Sequence, residues 1–310
     1  MDGLRAAAAL AVVMIHASAG QTSDAALVWN QLSRFAVPLF LVLTGFGHAG
    51  ALAEGKFERQ GLKAVRRRLS RVLIPYFIWS AVYLALDFVL GTPHEHPLRD
   101  LLTGGAYVHL YYIFVLVQFI LLSDLFCAAM HRHPACTMVL SAAVTFAMQG
   151  LIACAVNGYL TFYSPLPPAR YFLSWVIFYT GGIWLRLHDG WQRCPLRLSL
   201  PLWLLSAACV LLTAHFLPSL APSSLRPDLV LYVFTTGLLL WTLCSRTQTL
   251  PAPVRFIARH SFGLYLVHPL VLRLSQMYLL GLIGGLAGAA ALSLLPFGTL
   301  LGGARRKTRS

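Results

Sequence analysis

Apolar runs long enough to cross a bilayer recur ten times along the chain, with cores near residues 4–19, 35–53, 73–90, 107–126, 137–156, 171–187, 199–216, 228–245, 261–279 and 282–301. A hydrocarbon core about 30 Å thick asks for roughly 20 apolar residues per helix. The runs are too continuous for the alternating strands of a membrane barrel. An all-α polytopic membrane protein with about ten transmembrane helices is therefore expected, with Gly281 as the break between the last two. No Pro/Ser-rich linker, solenoid repeat or long polar stretch interrupts the pattern, so residues 1–303 are expected to form a single domain and residues 304–310 a basic cytoplasmic tail.

Composition points the same way. Hydrophobic residues make up 58% of the 310, charged residues only 11%, and the mean hydropathy is +0.70, far from the soluble average. The net charge of +14 is of the size that nucleic-acid binding asks for, but its placement argues against such a partner. With a cytoplasmic amino terminus, Arg5 and alternate loops hold Lys56, Arg59, Lys63, Arg66, Arg67, Arg68, Arg71, Arg132, Arg186, Arg193, Arg197, Arg246, Arg255 and Arg259. The tail adds Arg305, Arg306, Lys307 and Arg309. That is 19 of the 24 Lys and Arg residues, against Arg34, Arg99, Arg170, Arg226 and Arg273 on the other face. The asymmetry follows the positive-inside rule and puts both termini in the cytoplasm.

Six dispersed cysteines give no disulfide framework, and free thiols are expected. No CxxC pair or HExxH argues for a metal. His94 and His96 offer two imidazoles on a loop, read as solvated side chains or an adventitious metal contact. Ala17-Ser18-Ala19 after the short first apolar run resembles a signal-peptide cleavage site. Against that reading, His16 lies just inside the site, Asp2 offsets Arg5, and cleavage would leave nine helices with termini on opposite faces.

The opening stretch, DGLRAAAALAVVMIH at residues 2–16, keeps two ionisable groups on an apolar helix. Arg5 and His16 are eleven residues apart, about 20° around the helix and about 16.5 Å along it, so they share one face. One would sit at the cytoplasmic interface and the other near mid-membrane. An imidazole titrates close to neutrality and can take a proton from a hydroxyl. The structural alternative is a helix-end histidine bonded to a carbonyl and an interfacial arginine that anchors the helix. Arg68 and Arg71, three apart before Pro75, can face one phosphate-bearing ligand, or can simply fix topology and touch anionic lipid. His109 follows Gly104 and Gly105 and precedes Tyr111 and Tyr112, which with Tyr107 can equally form an interfacial aromatic belt. His268 before Pro269 is either a second buried polar group or a structural histidine. No glutamate lies in a helix core, which weakens a proton-coupled transporter. Of the carboxylates, Asp2, Asp87 and Asp124 are the ones that could partner His16.

Five stretches carry a family resemblance. DGLRAAAALAVVMIH resembles the signature that opens membrane acyltransferases of the acyltransferase-3 family, and VPLFLVLTGF (37–46) resembles its second-helix motif. RRRLSRVLIPYFIW (66–79), GGAYVHLYYIFVL (104–116) and SFGLYLVHPLVL (261–272) are similar to its basic loop, its Gly-Gly and His-Leu-Trp-Phe element and its late-helix motif, in the family's order. Two departures stand out: Met1 directly precedes the first motif where the family has a cytoplasmic lead, and Tyr111-Tyr112 replace the Trp-Phe pair. The resemblance implies the membrane-only form, without a fused esterase-like domain, in a bacterial inner membrane. It implies transfer of an acyl group, acetyl foremost, from acyl-CoA to a hydroxyl of a cell-envelope glycan or lipid-linked sugar, with no bound cofactor. In that scheme His16 is the base, Arg5 orients donor and base, His109 positions the acceptor, Arg68 and Arg71 hold the coenzyme A phosphates, and Tyr111 and His268 are secondary candidates. A polysaccharide exporter or lipid flippase, and a structural subunit of an envelope-glycan assembly complex, are the alternatives.

Overall fold

The computed structural model describes residues 1–50, 61–161, 163–274 and 277–304. The basic residues Lys56 and Arg59 and the tail Arg305, Arg306, Lys307 and Arg309 lie outside the described residues. Among those described, the chain is helical and carries no strand.

The helices are α1 (Asp2–Ala17), α2 (Asp24–Ser33), α3 (Ala36–His48), α4 (Leu62–Val89), α5 (Pro97–Thr103), α6 (Tyr111–Leu121), α7 (Ser123–Arg132), α8 (Pro134–Val156), α9 (Val176–Leu187), α10 (Leu196–Phe216), α11 (Asp228–Cys244), α12 (Ala252–Leu274) and α13 (Tyr278–Leu294). Helix occupies each of the ten expected segments, but the expected count of about ten spans does not follow. By length and apolar composition four helices among the described residues qualify to cross a membrane: Asp24–His48 taken through α2 and α3, α4, α8 and α10. A fifth qualifies if α6 and α7, bent by 56°, form one span. The shortfall has physical causes. α1, with 16 residues, is about 24 Å long at 1.5 Å per residue, short of a full hydrocarbon core. α9 and α11 are likewise short, and α12 is long enough but is diluted by Arg255, Arg259, His260, His268 and Arg273.

Burial runs opposite to a soluble protein. On α8 the buried face carries Thr137, Ser141, Thr145 and Gln149, while Val139, Leu140 and Phe146 are exposed. α10 buries Ser199 and Ser206 and exposes Leu198, Leu202, Leu204, Leu205 and Leu212. Polar groups that pair inward and apolar groups that face outward are the arrangement a lipid solvent imposes. Inside, Ser206 Oγ and Thr235 Oγ1 meet at 2.6 Å, and Thr145 Oγ1 accepts from the Ile177 amide at 3.1 Å. The chain is a membrane protein. All six cysteines are free thiols.

α1 is the central helix, packed against α2, α3, α11, α12 and α13. Its run of alanines explains the position: Ala6, Ala8, Ala9 and Ala11 are buried, and their small side chains let neighbouring backbones approach. The same device closes two further crossings. A Cβ on Gly182 would strike the Val42 carbonyl oxygen, and one on Gly45 the Tyr179 carbonyl oxygen, so α3 and α9 touch backbone to backbone. On α13 a Cβ at Gly281 would strike the Leu272 side chain, and one at Gly285 would lie 3.3 Å from His268 Cβ. Gly281 is thus a packing residue inside α13 and not the break expected from sequence, because a glycine that lets two helices approach closely looks the same in sequence as one that ends a helix.

Candidate active site

Three elements distant in sequence bring three imidazoles together. α1 delivers His16 from its last turn, the turn before α6 delivers His109, and α12 delivers His268 one residue ahead of Pro269. The ring centroids are 5.2 Å apart for His16 and His268, 5.6 Å for His109 and His268, and 6.2 Å for His16 and His109. His109 is placed by the turn before it. Gly104 adopts φ +76°, and its amide donates to Tyr76 Oη at 2.9 Å; a Cβ there would come 2.8 Å from Tyr111 Cα. Tyr265 Oη then donates to the His109 carbonyl oxygen, tying α12 to the same turn.

The three rings are not equivalent. His268 is fully buried, and its Nδ1–H donates to the Leu264 carbonyl oxygen at 2.9 Å, which leaves Nε2 as the lone-pair nitrogen with no partner. His109 is 2% exposed and neither ring nitrogen has a hydrogen-bond partner. Orphaned polar atoms in a protein interior are expensive, and they point to a molecule that completes them. His16 and His109 line a cavity of about 330 Å3 with Arg34, Tyr111, Trp175, Tyr265 and residues of the Pro222–Leu225 loop. His268 lies behind them and does not line it. Tyr83 and Tyr107, stacked at 4.6 Å, close the far side of His109.

The other site residues named from sequence fall elsewhere. Arg5 sits at the opposite end of α1, 43% exposed, paired with Asp2 at 2.7 Å. Arg68 and Arg71 are at the start of α4, and they diverge. Arg71 lines a recess of about 350 Å3 with Arg67, Ser70, Thr299, Leu300, Gly302 and Gly303, whereas Arg68 does not line it and lies within electrostatic reach of Tyr179, Asp124 and Cys127, with a buried Nη1 that has no partner. Arg66 and Lys63 line an adjoining recess with Arg67. Near Tyr179, His48 Nδ1 is hydrogen-bonded to its hydroxyl at 2.7 Å, a contact that sequence did not suggest.

None of the carboxylates named from sequence partners His16. Asp2 is taken by Arg5, and Asp87 accepts from Arg273 at 2.7 Å and from His94 at 3.2 Å. His94 is no solvated loop residue: its Nδ1 also reaches Asp100 at 2.7 Å, and the hydrogen bond to Asp100 followed by that to Asp87 holds its pKa above the ordinary histidine value. Among the described residues no group of three or more His, Cys, Asp or Glu is arranged to hold a metal.

Arg34, which the sequence places among the loop charges of the far face, is a site residue. It is 8% exposed at the junction of α2 and α3 and faces the cavity. Its Nη2 donates to Asn30 Oδ1 at 2.7 Å and its Nη1 to the Pro222 carbonyl oxygen at 2.6 Å. Asn30 in turn donates to the Ile15 carbonyl oxygen at 3.1 Å and to Ser18 Oγ at 2.9 Å, which fixes the guanidinium to the end of α1 that carries His16. Sequence position alone gave no such signal, because an arginine bordering an apolar segment reads first as a topology charge.

A family model described as an acyltransferase domain matches residues 1–302, nearly the whole chain. The chain belongs to the acyltransferase-3 family. Membership supports acyltransferase activity in general terms, and the outward apolar helices agree with a membrane enzyme. No curated protein and no solved structure matches it.

Proposed function

We propose that this acyltransferase moves an acyl group, acetyl foremost, from acyl-CoA to a hydroxyl of a cell-envelope glycan or lipid-linked sugar, as one domain over residues 1–303 of a bacterial inner-membrane protein with both termini cytoplasmic. One observation carries the reading: two imidazoles, His16 and His109, open onto one cavity with a third, His268, directly behind them. In this scheme His16 accepts the proton of the acceptor hydroxyl as its oxygen attacks the thioester carbonyl. The tetrahedral intermediate collapses by breaking the C–S bond, and the departing coenzyme A thiolate takes up the proton that His16 accepted, which returns the imidazole to its base form. The basic recesses around Arg66, Arg67 and Arg71 supply cations for the donor phosphates, and Arg68 lines neither recess. Arg5, at the far end of α1, serves the donor side and does not touch His16. Lipids and the two substrates are the partners in this reading, with no nucleic acid.

The deciding experiment is acyl transfer per mole of folded protein. His16→Ala is expected to lower turnover by roughly 10² to 10⁴, the range of a positioned acid/base group, with donor binding retained. His16→Gln is expected to be nearly as inactive, because an amide keeps a hydrogen bond but takes no proton. Wild-type turnover in the glutamine variant would remove His16 as the base and leave His109 as the next candidate.

A further inference from the structure

The Arg34 guanidinium is a buried cation whose charge nothing among the described residues neutralises. The nearby Arg226 shows the contrast: it is buried too, but Asp228 pairs with it at 3.0 Å. Among the described residues no carboxylate lies within ion-pair distance of Arg34, and none lines the cavity that it faces. Its fixed partners are a backbone carbonyl and an amide oxygen, with the Ser224 hydroxyl at the long distance of 3.5 Å. Its Nε–H is buried with no partner. An arginine stays charged under all ordinary conditions, and an uncompensated charge in an apolar interior is tolerated where something brings a counter-charge. Because Asn30 and the Pro222 carbonyl hold the side chain, it is also pre-organised, so little rotamer entropy remains to be lost when an anion arrives.

We infer that Arg34 holds an anionic group of the acceptor, a carboxylate or phosphate carried on a sugar, in the cavity that ends at His16. This rests on the reading that the cavity receives the acceptor, and it narrows that acceptor to an acidic saccharide. The bound anion would neutralise the guanidinium and satisfy the orphaned Nε–H while the sugar hydroxyls extend toward His16 and His109. The position of Arg34 fits an acceptor group, since its Nη1 is committed to the Pro222 carbonyl oxygen in the cavity wall and its Nη2 to Asn30, which holds the guanidinium fixed beside the space that an acceptor would fill.

The test is thermal unfolding of the purified full-length protein in detergent, titrated with glucose, glucuronate and glucose 1-phosphate. At least one of the acids is expected to bind about 10- to 100-fold more tightly than glucose, the scale of a charge-assisted hydrogen bond, and which acid wins separates carboxylate from phosphate. Arg34→Gln should abolish the preference while keeping a single cooperative transition. Arg34→Lys should keep the preference but weaken it several-fold, because the ammonium lacks the fork. Equal affinity for all three sugars in the wild type overturns the inference, and so does an unchanged preference in either variant. If Arg34→Gln does not fold, the wild-type comparison and the lysine variant decide. A uniform loss of turnover in Arg34→Gln with neutral and acidic acceptors alike, without any binding preference, would assign Arg34 to the oxyanion instead. Failure of the acyl-transfer reading is separate: it appears as no acyl-CoA turnover with any acceptor, which the binding titrations do not require.

Discussion

Replacement of His268 separates its two nitrogens. Its Nδ1–H is committed to the Leu264 carbonyl oxygen and its Nε2 is unpartnered 5.2 Å, ring to ring, from His16. An asparagine amide nitrogen falls near the position of Nδ1 and can make the same donation, but nothing in asparagine reaches Nε2. His268→Asn should therefore stay within about 1 kcal/mol of wild-type stability, the worth of an ordinary hydrogen bond. His268→Ala loses that bond and leaves a void beside α13, where Gly285 allows close packing, so a loss of about 3 kcal/mol is expected on the scale of large-to-small core changes. If Nε2 supports the His16 imidazole as it takes up the proton, His268→Asn lowers kcat about 10- to 100-fold, about 1.4 to 2.7 kcal/mol of barrier, and leaves KM for acyl-CoA unchanged. The assays are unfolding in detergent and single-substrate kinetics per mole of folded protein. A stable asparagine variant with wild-type kcat would refute the role and leave His268 as packing. An alanine variant as stable as wild type would refute the packing estimate.

Three further outcomes follow from the geometry. His94 holds a raised pKa between Asp100 and Asp87, so its contribution to stability is full below the unfolded value near 6.5 and is lost as pH rises above it through the folded value; wild-type stability should fall over that rise and His94→Gln should not show the fall, and a flat wild-type profile would refute it. Gly182→Ala places a Cβ against the Val42 carbonyl oxygen and should cost about 1 to 3 kcal/mol in detergent unfolding; unchanged stability would mean that α3 and α9 are not in backbone contact. Because Arg71 lines the recess with Arg67, Arg71→Gln should raise KM for acyl-CoA about tenfold, and by more than Arg68→Gln does; the reverse order would move the donor phosphates to the Arg68 side.

Much of the fold was legible because lipid exposure writes itself into sequence as long apolar runs, and helix lies on every one of them. The expected ten spans are not confirmed in the same way: among the described residues four or five helices qualify by length and composition, since hydropathy does not register the bend between α6 and α7 or the shortness of α1. Arg5 and His16 illustrate the limit of periodicity. Helical phase put them on one face and about 16.5 Å apart, and they do occupy opposite ends of α1. Phase could not tell which end meets a cavity or what else lines it. The same spacing logic set Arg68 beside Arg71, yet Arg71 shares its recess with Arg67, four residues back, since which neighbours pack against α4 decides the partner.

His16, His109 and His268 were each visible within a motif, but their convergence was not, because the contacts that bring them together are made by residues without chemistry of their own. The alanines of α1, Gly285 of α13 and the positive-φ Gly104 set how closely three helical elements approach, and Tyr265 ties α12 to the turn that carries His109. Arg34 escaped for the opposite reason. A charge beside an apolar run reads as a topology signal whenever its counter-ion is unknown, and only the enclosed environment shows that it has none. The same fact gives the arginine its interest: a cation that the protein has braced through Asn30 to the end of α1 and left unneutralised is positioned to choose what may approach His16.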